Sequence, residues 1–253
     1  LLLTLTQRSG ETLVRFATDS FEEVGFFGAA YAVLLTVAHA MGQLAASLAP
    51  HLVGEFDEDR RVAIAIWLER VLKYLVALAA FCVAGAALIG PDLVPALMGA
   101  EFAPVAANLA VLTLILLPVA VGSVGRLQSL VLNRPGTVIA GAAIEFAAFW
   151  AIGFPLAARF GSFGACAAAL PASALYAWFV MARLRPALPF SLRPAWRAIA
   201  AAGVFVPLVL AAPAWPINLL LFAAGTAAYA GLLLRLRVVT LAEITQLKRV
   251  VRE

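Results

Sequence analysis

Charge is scarce in this sequence. Asp, Glu, Lys and Arg together make up 13% of 253 residues, against 64% that are hydrophobic. A soluble domain carries about 25% charged and roughly 45–50% apolar residues. A water-soluble chain of this length has too little interior to hide so much apolar surface, because its outside must be covered by something polar. The shortage excludes a soluble globular domain and points to a bilayer. Cysteine and histidine are nearly absent, with two of each. Cys82 and Cys166 lie inside apolar runs, where thiols act as small packing groups rather than as a disulfide or redox pair. His39 and His51 have no Cys or carboxylate at ligand spacing, so no metal site is expected. There is no P-loop, Rossmann glycine pattern or nucleophile elbow, hence no sign of an enzyme or of a cofactor. A secretory signal peptide is missing too. The chain starts at Leu1 rather than at methionine, as expected of a fragment whose upstream part is absent. The net charge of +4 does not indicate nucleic acid, because the basic residues cluster in short loops, the pattern of membrane topology.

What is present is a series of long apolar runs. A helix needs about 20 apolar residues to cross ~30 Å of hydrocarbon. Runs free of Asp, Glu, Lys and Arg cover residues 24–54, 74–91, 102–125, 160–182 and 198–234. The last is divided by Ala212-Pro213-Ala214-Trp215-Pro216, where prolines at that density mark a turn. Residues 135–158 form a further span carrying Glu145, and residues 1–18 an irregular one interrupted by Arg8, Glu11 and Arg15. The expectation is an all-α, polytopic bundle of about eight spans. Basic loops alternate with poor ones: Arg60, Arg61, Arg70 and Lys73, then Arg126 and Arg134, then Arg183, Arg185, Arg193 and Arg197, then the tail with Arg235, Arg237, Lys248, Arg249 and Arg252. The positive-inside rule places these loops and the C-terminus in the cytoplasm. The alternation needs all eight crossings, with entry from the cytoplasm. Pro50, Pro91 and Pro135 are expected at the edges of runs. Pro118, Pro155, Pro171 and Pro207 are expected inside spans, where they bend helices.

The informative residues are charges and polar groups at membrane depth, which are costly unless they face a partner or a watery cavity. Arg8, Glu11 and Arg15 share one face of the first helix. That face either lines a cationic cavity for an anionic substrate, or is a self-neutralising group in which Glu11 pairs with Arg8 or Arg15. His39, with Thr36 and Gln43, makes a polar stripe at helical spacing. It is read as an interhelical hydrogen bond or a proton relay. Glu145 is a cation or proton site, or a partner of Arg126. The run Val238–Glu253 is amphipathic, either a helix on an anionic inner leaflet or a solvated tail.

Four stretches in order carry a resemblance: "RSGETLVRFATDSFEEVGFFGAAY" from Arg8 to Tyr31, "SLAPHL" at 47–52, "LIGPDLVPALMGAEFAPVAANLAVL" at 88–112 and "RFGSFGACAAAL" at 159–170. They resemble the polysaccharide transporter (lipid-linked oligosaccharide flippase) family, which shares a superfamily with multidrug and toxin extruders. The resemblance implies a two-bundle exporter fold with a basic central cavity and alternating access, in which this chain supplies the C-terminal bundle. Residues 1–184 would then be a six-helix second bundle, 185–237 two additional transmembrane helices and 238–253 a cytoplasmic amphipathic tail. The implied cargo is a polyprenyl-pyrophosphate-linked glycan, in polysaccharide or lipopolysaccharide biosynthesis. The implied setting is the inner (plasma) membrane, beside other cell-envelope polysaccharide synthesis proteins. The substrate-cavity candidates are Arg8, Glu11, Arg15, His39, Gln43 and Glu145. The alternatives are a cation-coupled multidrug extruder of the same fold, a membrane-embedded glycan polymerase or ligase, and a purely structural partner of a synthase complex. The polymerase or ligase is disfavoured by the short loop around 91–102.

Overall fold

The computed structural model describes residues 2–46, 61–211, 217–236 and 238, with side chains from residue 9 onward. Helix α1 is Leu2–Thr18, α2 Phe21–Ala46 and α3 Arg61–Met98. A 3-10 turn at Ala100–Phe102 leads to α4, Ala103–Thr113, followed by α5, Leu116–Val131. The helical stretch Pro135–Leu184 has a non-helical break at Gly161 and forms two arms, α6 (135–160) and α7 (162–184). Then come α8 (Arg193–Ala202), α9 (Phe205–Ala211) and α10 (Ile217–Arg235). The described residues contain no strand.

The ends of these helices follow from local chemistry. Thr18 Oγ1 donates back to the Val14 carbonyl at 2.8 Å, and Asp19 closes α1 with a left-handed φ of 53°, a conformation that Asp tolerates. Ser20 then caps α2 by accepting the Glu23 N–H at 3.3 Å. Glu22 and Glu23 place negative charge on its first turn, as the helix dipole favours. Gly99, at φ 108°, stops α3. Asn133, at φ 51°, and Pro135 at the first position of α6 make the turn between α5 and α6.

The break at Gly161 is a hairpin. A Cβ on Gly164 would fall onto the backbone carbonyl of Leu156, and one on Gly153 would lie 3.5 Å from the Ala168 Cβ. Farther out, Gly141 faces Tyr176 and Val180 at 3.0 Å. The arms are therefore antiparallel, with small residues letting the backbones approach.

Five helical stretches are long and apolar enough to cross a membrane, and six if α4 and α5, bent by 42°, make one crossing. The hairpin divides the 50-residue stretch Pro135–Leu184 into two arms, so the described residues supply seven passes. Helix α1, at 17 residues, runs beside them as the eighth element. The chain is a multi-pass membrane protein built as an all-α bundle.

One proline differs from expectation. Pro91 is not at a helix edge, because α3 continues through Pro91 and Pro95 to Met98. Pro118 and Pro207 lie inside spans, as expected, each in the first turn after a break, at Leu114–Ile115 and Gly203–Val204. A first-turn nitrogen has no partner inside its helix, so proline costs little there. Pro155 and Pro171 are interior, as expected.

One apolar core gathers α1 to α7 and the inner face of α8 (Ala195 and Ala198), with Phe27, Tyr31, Leu68, Leu72, Leu116 and Phe149 fully buried. A second cluster docks α8, α9 and α10 on α3 through Ala84, Leu88, Phe205 and Tyr229. Its rings touch at centroid distances of 6.0 Å (Phe205–Phe222) and 5.6 Å (Phe205–Tyr229). The Tyr229 hydroxyl donates to the Ala77 carbonyl at 3.0 Å. The divider 212–216, the "SLAPHL" stretch, His51 and the tail apart from Val238 lie outside the described residues.

Candidate functional site

Helix α2 sorts its residues cleanly. Phe27, Tyr31, Leu34, Ala38, Met41 and Ala45 are buried. Thr36, His39 and Gln43 are all exposed on the opposite side. They continue a stripe that begins at Gly28, since positions 28, 32, 36, 39 and 43 recur at helical spacing. Thr36 Oγ1 satisfies itself on the Ala32 carbonyl at 3.0 Å. At its other end the stripe meets α1, where Glu11 Oε1 would lie 3.3 Å from a Cβ on Gly28. From Gly28 to Gln43 is 15 residues, about 22 Å of helix. Glu11, Thr36, His39 and Gln43 therefore form a polar track along most of the depth of a bilayer core on an outward face.

Arg15 does not pair with Glu11. Its guanidinium pairs with Asp19 at 2.8 Å and lies 4.0 Å from the centroid of the exposed Phe21 ring. The self-neutralising reading in which Glu11 pairs with Arg15 is thus corrected: the partner is Asp19. The cause is position. Arg15 stands in the last turn of α1, so its side chain reaches the turn more readily than the helix face below it. The Arg8 side chain lies outside the described part of the structure.

Glu145 sits apart from this track, half-buried on α6. It is within electrostatic reach of Arg126 on α5, and Arg126 acts also on Tyr176 of α7. Arg126 Nη2 donates to Ser123 Oγ at 2.7 Å, one turn deeper along α5, so the guanidinium turns inward rather than to the membrane surface. Among the described residues Glu145 and Arg126 form no direct ion pair. Tyr176 fits because both neighbouring helices offer glycine. Its ring would meet a Cβ on Gly122 at 2.6 Å and one on Gly141 at 3.0 Å. Its buried hydroxyl meets no acceptor and has only the Arg126 guanidinium beside it, too poorly aligned for a full hydrogen bond, so Tyr176→Phe is expected to lower thermal stability by about 1 kcal/mol or less. A larger loss in a melting experiment would reveal an acceptor the geometry does not provide.

A third polar group was not singled out in the sequence. Glu23 Oε2 accepts the Ser162 backbone N–H at 2.6 Å, and Asn108 Nδ2 donates to Ser162 Oγ at 2.9 Å. Ser20 and Glu23 have the spacing of a capping box, but the glutamate reaches across to the hairpin turn instead of back to its own helix. The only sequence signal was that spacing. No group of three His, Cys, Asp or Glu able to hold a metal occurs among the described residues.

No protein-family model matches the chain, and no curated protein matches it. Among solved structures it is similar to one titled "Lipid II flippase MurJ, inward closed conformation", with a TM-score of 0.73 and 12% identity. The match covers 91% of this chain and 51% of the other, so the chain spans about half the length of the structure it matches. At that identity the likeness is one of fold.

Proposed function

We propose that this chain is part of a transporter that carries a lipid-linked oligosaccharide across the membrane by alternating access. The observation that carries the reading is the polar track of Glu11, Thr36, His39 and Gln43 on the outward face of α1 and α2. Polar side chains turned to hydrocarbon are costly. The arrangement is economical only if this face borders a hydrated space, as between two bundles. The fold likeness to a lipid II flippase supports the same reading. So does the ordered resemblance to the polysaccharide transporter family.

In this reading residues 1–184 form the six-helix bundle beside the cavity, and 185–237 supply the two added helices. The glycan head, carrying its pyrophosphate, passes along the track. Glu11 stands at the far end of the track, on the helix that also carries Arg8, and His39 and Gln43 meet the head near the arginine-rich, cytoplasmic side. The polyprenyl chain stays in lipid. The setting is the inner membrane with a cytoplasmic C-terminus, beside proteins of cell-envelope polysaccharide synthesis. The chemistry is movement without bond making, so no enzyme activity and no cofactor are involved.

The double substitution His39→Leu with Gln43→Leu tests this. Both side chains are exposed, so folding is expected to change by less than about 0.5 kcal/mol each. Losing hydrogen bonds to a charged head costs about 1.5–3 kcal/mol, or about ten- to a hundredfold in transport. The readout is labelling of lipid-linked glycan that reaches the outer face of cells carrying the variant. Native-level export at normal protein abundance would remove the track from the transport path.

Glu145 favours a second reading, a cation-coupled extruder of the same fold, because it is a half-buried acid inside the bundle rather than on the track. Under that reading Glu145→Gln sensitises cells to cationic drugs while glycan export continues unchanged.

A further inference from the structure

Helix α8 leans on α3 through small residues and leaves a crevice of about 340 Å³. One wall is Ala80, Ala84 and Ala87 of α3. The other is Ile199, Gly203 and Val206 of α8 and α9. The lining is apolar, and the space exists because alanine and glycine stand where larger side chains would close it. The break at Gly203–Val204 opens it further.

The lower end of this crevice is chemically distinct. The α8 stripe through Gly203 and Ile199 continues down to Trp196 at helical spacing. Trp196 is 66% exposed, in the first turn of α8 between exposed Arg193 and Arg197. On α3 the stripe through Ala84 and Ala80 continues through Ala77 to Arg70, about 15 Å beyond Ala80 and past the crevice itself. Arg70 is exposed and lies 5.5 Å from the centroid of the Trp67 ring, itself 46% exposed. Exposed tryptophans with arginines are what the headgroup layer selects. From Arg197 to Val206 is nine residues, about 14 Å. That is close to the ~15 Å depth of one leaflet of hydrocarbon.

We propose that this crevice is a binding site for one anionic phospholipid of the arginine-rich leaflet. An acyl chain lies between α3 and α8–α9, and the headgroup phosphate rests on Arg193 and Arg197 beside Trp196. Charge complementarity fixes the class of lipid, and the crevice length fixes which part of it enters. A retained lipid fills the gap between the main core and the cluster that holds α9 and α10, so it acts as packing between the two. The site is independent of the polar track, which lies on α1 and α2.

The test is native mass spectrometry of the protein released from nanodiscs of mixed phosphatidylcholine and phosphatidylglycerol. The native protein is expected to retain one phosphatidylglycerol in preference to phosphatidylcholine. Each surface arginine contributes on the order of 1 kcal/mol toward an anionic lipid. Arg193→Gln with Arg197→Gln is therefore expected to lower that retention on the order of tenfold without changing protein yield. Ala87→Leu, which fills the crevice, is expected to remove both lipids. Its folding is checked by monodispersity, and the arginine variant carries the test if Ala87→Leu aggregates. Equal retention of the two lipids by the native protein would overturn the proposal, as would unchanged retention in the arginine variant. Displacement of phosphatidylglycerol by added polyprenyl pyrophosphate would also overturn it, by showing that the crevice takes the transported chain instead.

Discussion

Gly164→Ala is expected to leave little folded protein in the membrane. A methyl group at that position lands on the Leu156 carbonyl and its carbon, with the Ala157 nitrogen 2.9 Å away. All three are backbone atoms, so no side chain can rotate aside. The hairpin arms must separate, and the contacts of α7 with α6, including Tyr176 and Val180 against Gly141, go with them. Overpacking of a tight core costs about 1–3 kcal/mol, and more where backbone has to move. Here the upper end or beyond is expected, on the order of 3–5 kcal/mol, a range reserved for the severest substitutions. Gly42→Ala is the control, since a Cβ there meets nothing within 4 Å. Helix propensity alone makes that change favourable, by about 1 kcal/mol at most. Fluorescence-detected size exclusion should show a monodisperse peak for Gly42→Ala and aggregate for Gly164→Ala. A normal peak for Gly164→Ala would mean that the arms are not packed as described.

Glu23→Ala carries the next largest effect. Its carboxylate holds the Ser162 N–H at 2.6 Å, tying the start of α2 to the hairpin turn, while Asn108 ties α4 to the same serine. A hydrogen bond to a charged group contributes about 1.5–3 kcal/mol, and the loss is expected to appear as a lower melting temperature. Glu23→Gln keeps an acceptor oxygen and should lie between the native protein and Glu23→Ala. Gly161→Ala provides a cross-check. Gly161 has φ +60° and its Cβ would lie 2.5 Å from Glu23 Oε2, so alanine meets both backbone strain of about 1–2 kcal/mol and the carboxylate. Removing the carboxylate relieves the second cost only. The double variant Glu23→Ala with Gly161→Ala is therefore expected to lose less than the sum of the single losses, as neighbours in one contact do. Strict additivity would show that Glu23 does not grip the turn.

Much of the architecture was legible because it rests on a balance that composition records. Charge-free runs mark hydrocarbon depth, and the structure turns near Arg159, where two runs meet. The continuation of α3 past Pro91 was not legible. A proline reads as a boundary, yet packing of Val94 into the core holds two further turns in place. The Glu23–Ser162 bond joins residues 139 apart, and nothing local announces it. The polar residues of the candidate site could be found from their cost in a membrane. Their orientation could not, because exposure of His39 and Gln43 depends on which side of α2 meets α4, α5 and α1. The partner of Arg15 was hidden for a related reason: helical spacing puts it on a face with Glu11, but a long side chain in a last turn finds the nearer carboxylate of Asp19.

The central claim is that the chain serves movement of a lipid-linked oligosaccharide from one leaflet to the other. Depleting the protein in its host and measuring how that lipid divides between leaflets tests it most directly, using a membrane-impermeant glycan label. The account predicts accumulation on the cytoplasmic leaflet and loss of label outside, restored by the native gene and not by His39→Leu with Gln43→Leu. An unchanged distribution between leaflets after depletion would contradict it.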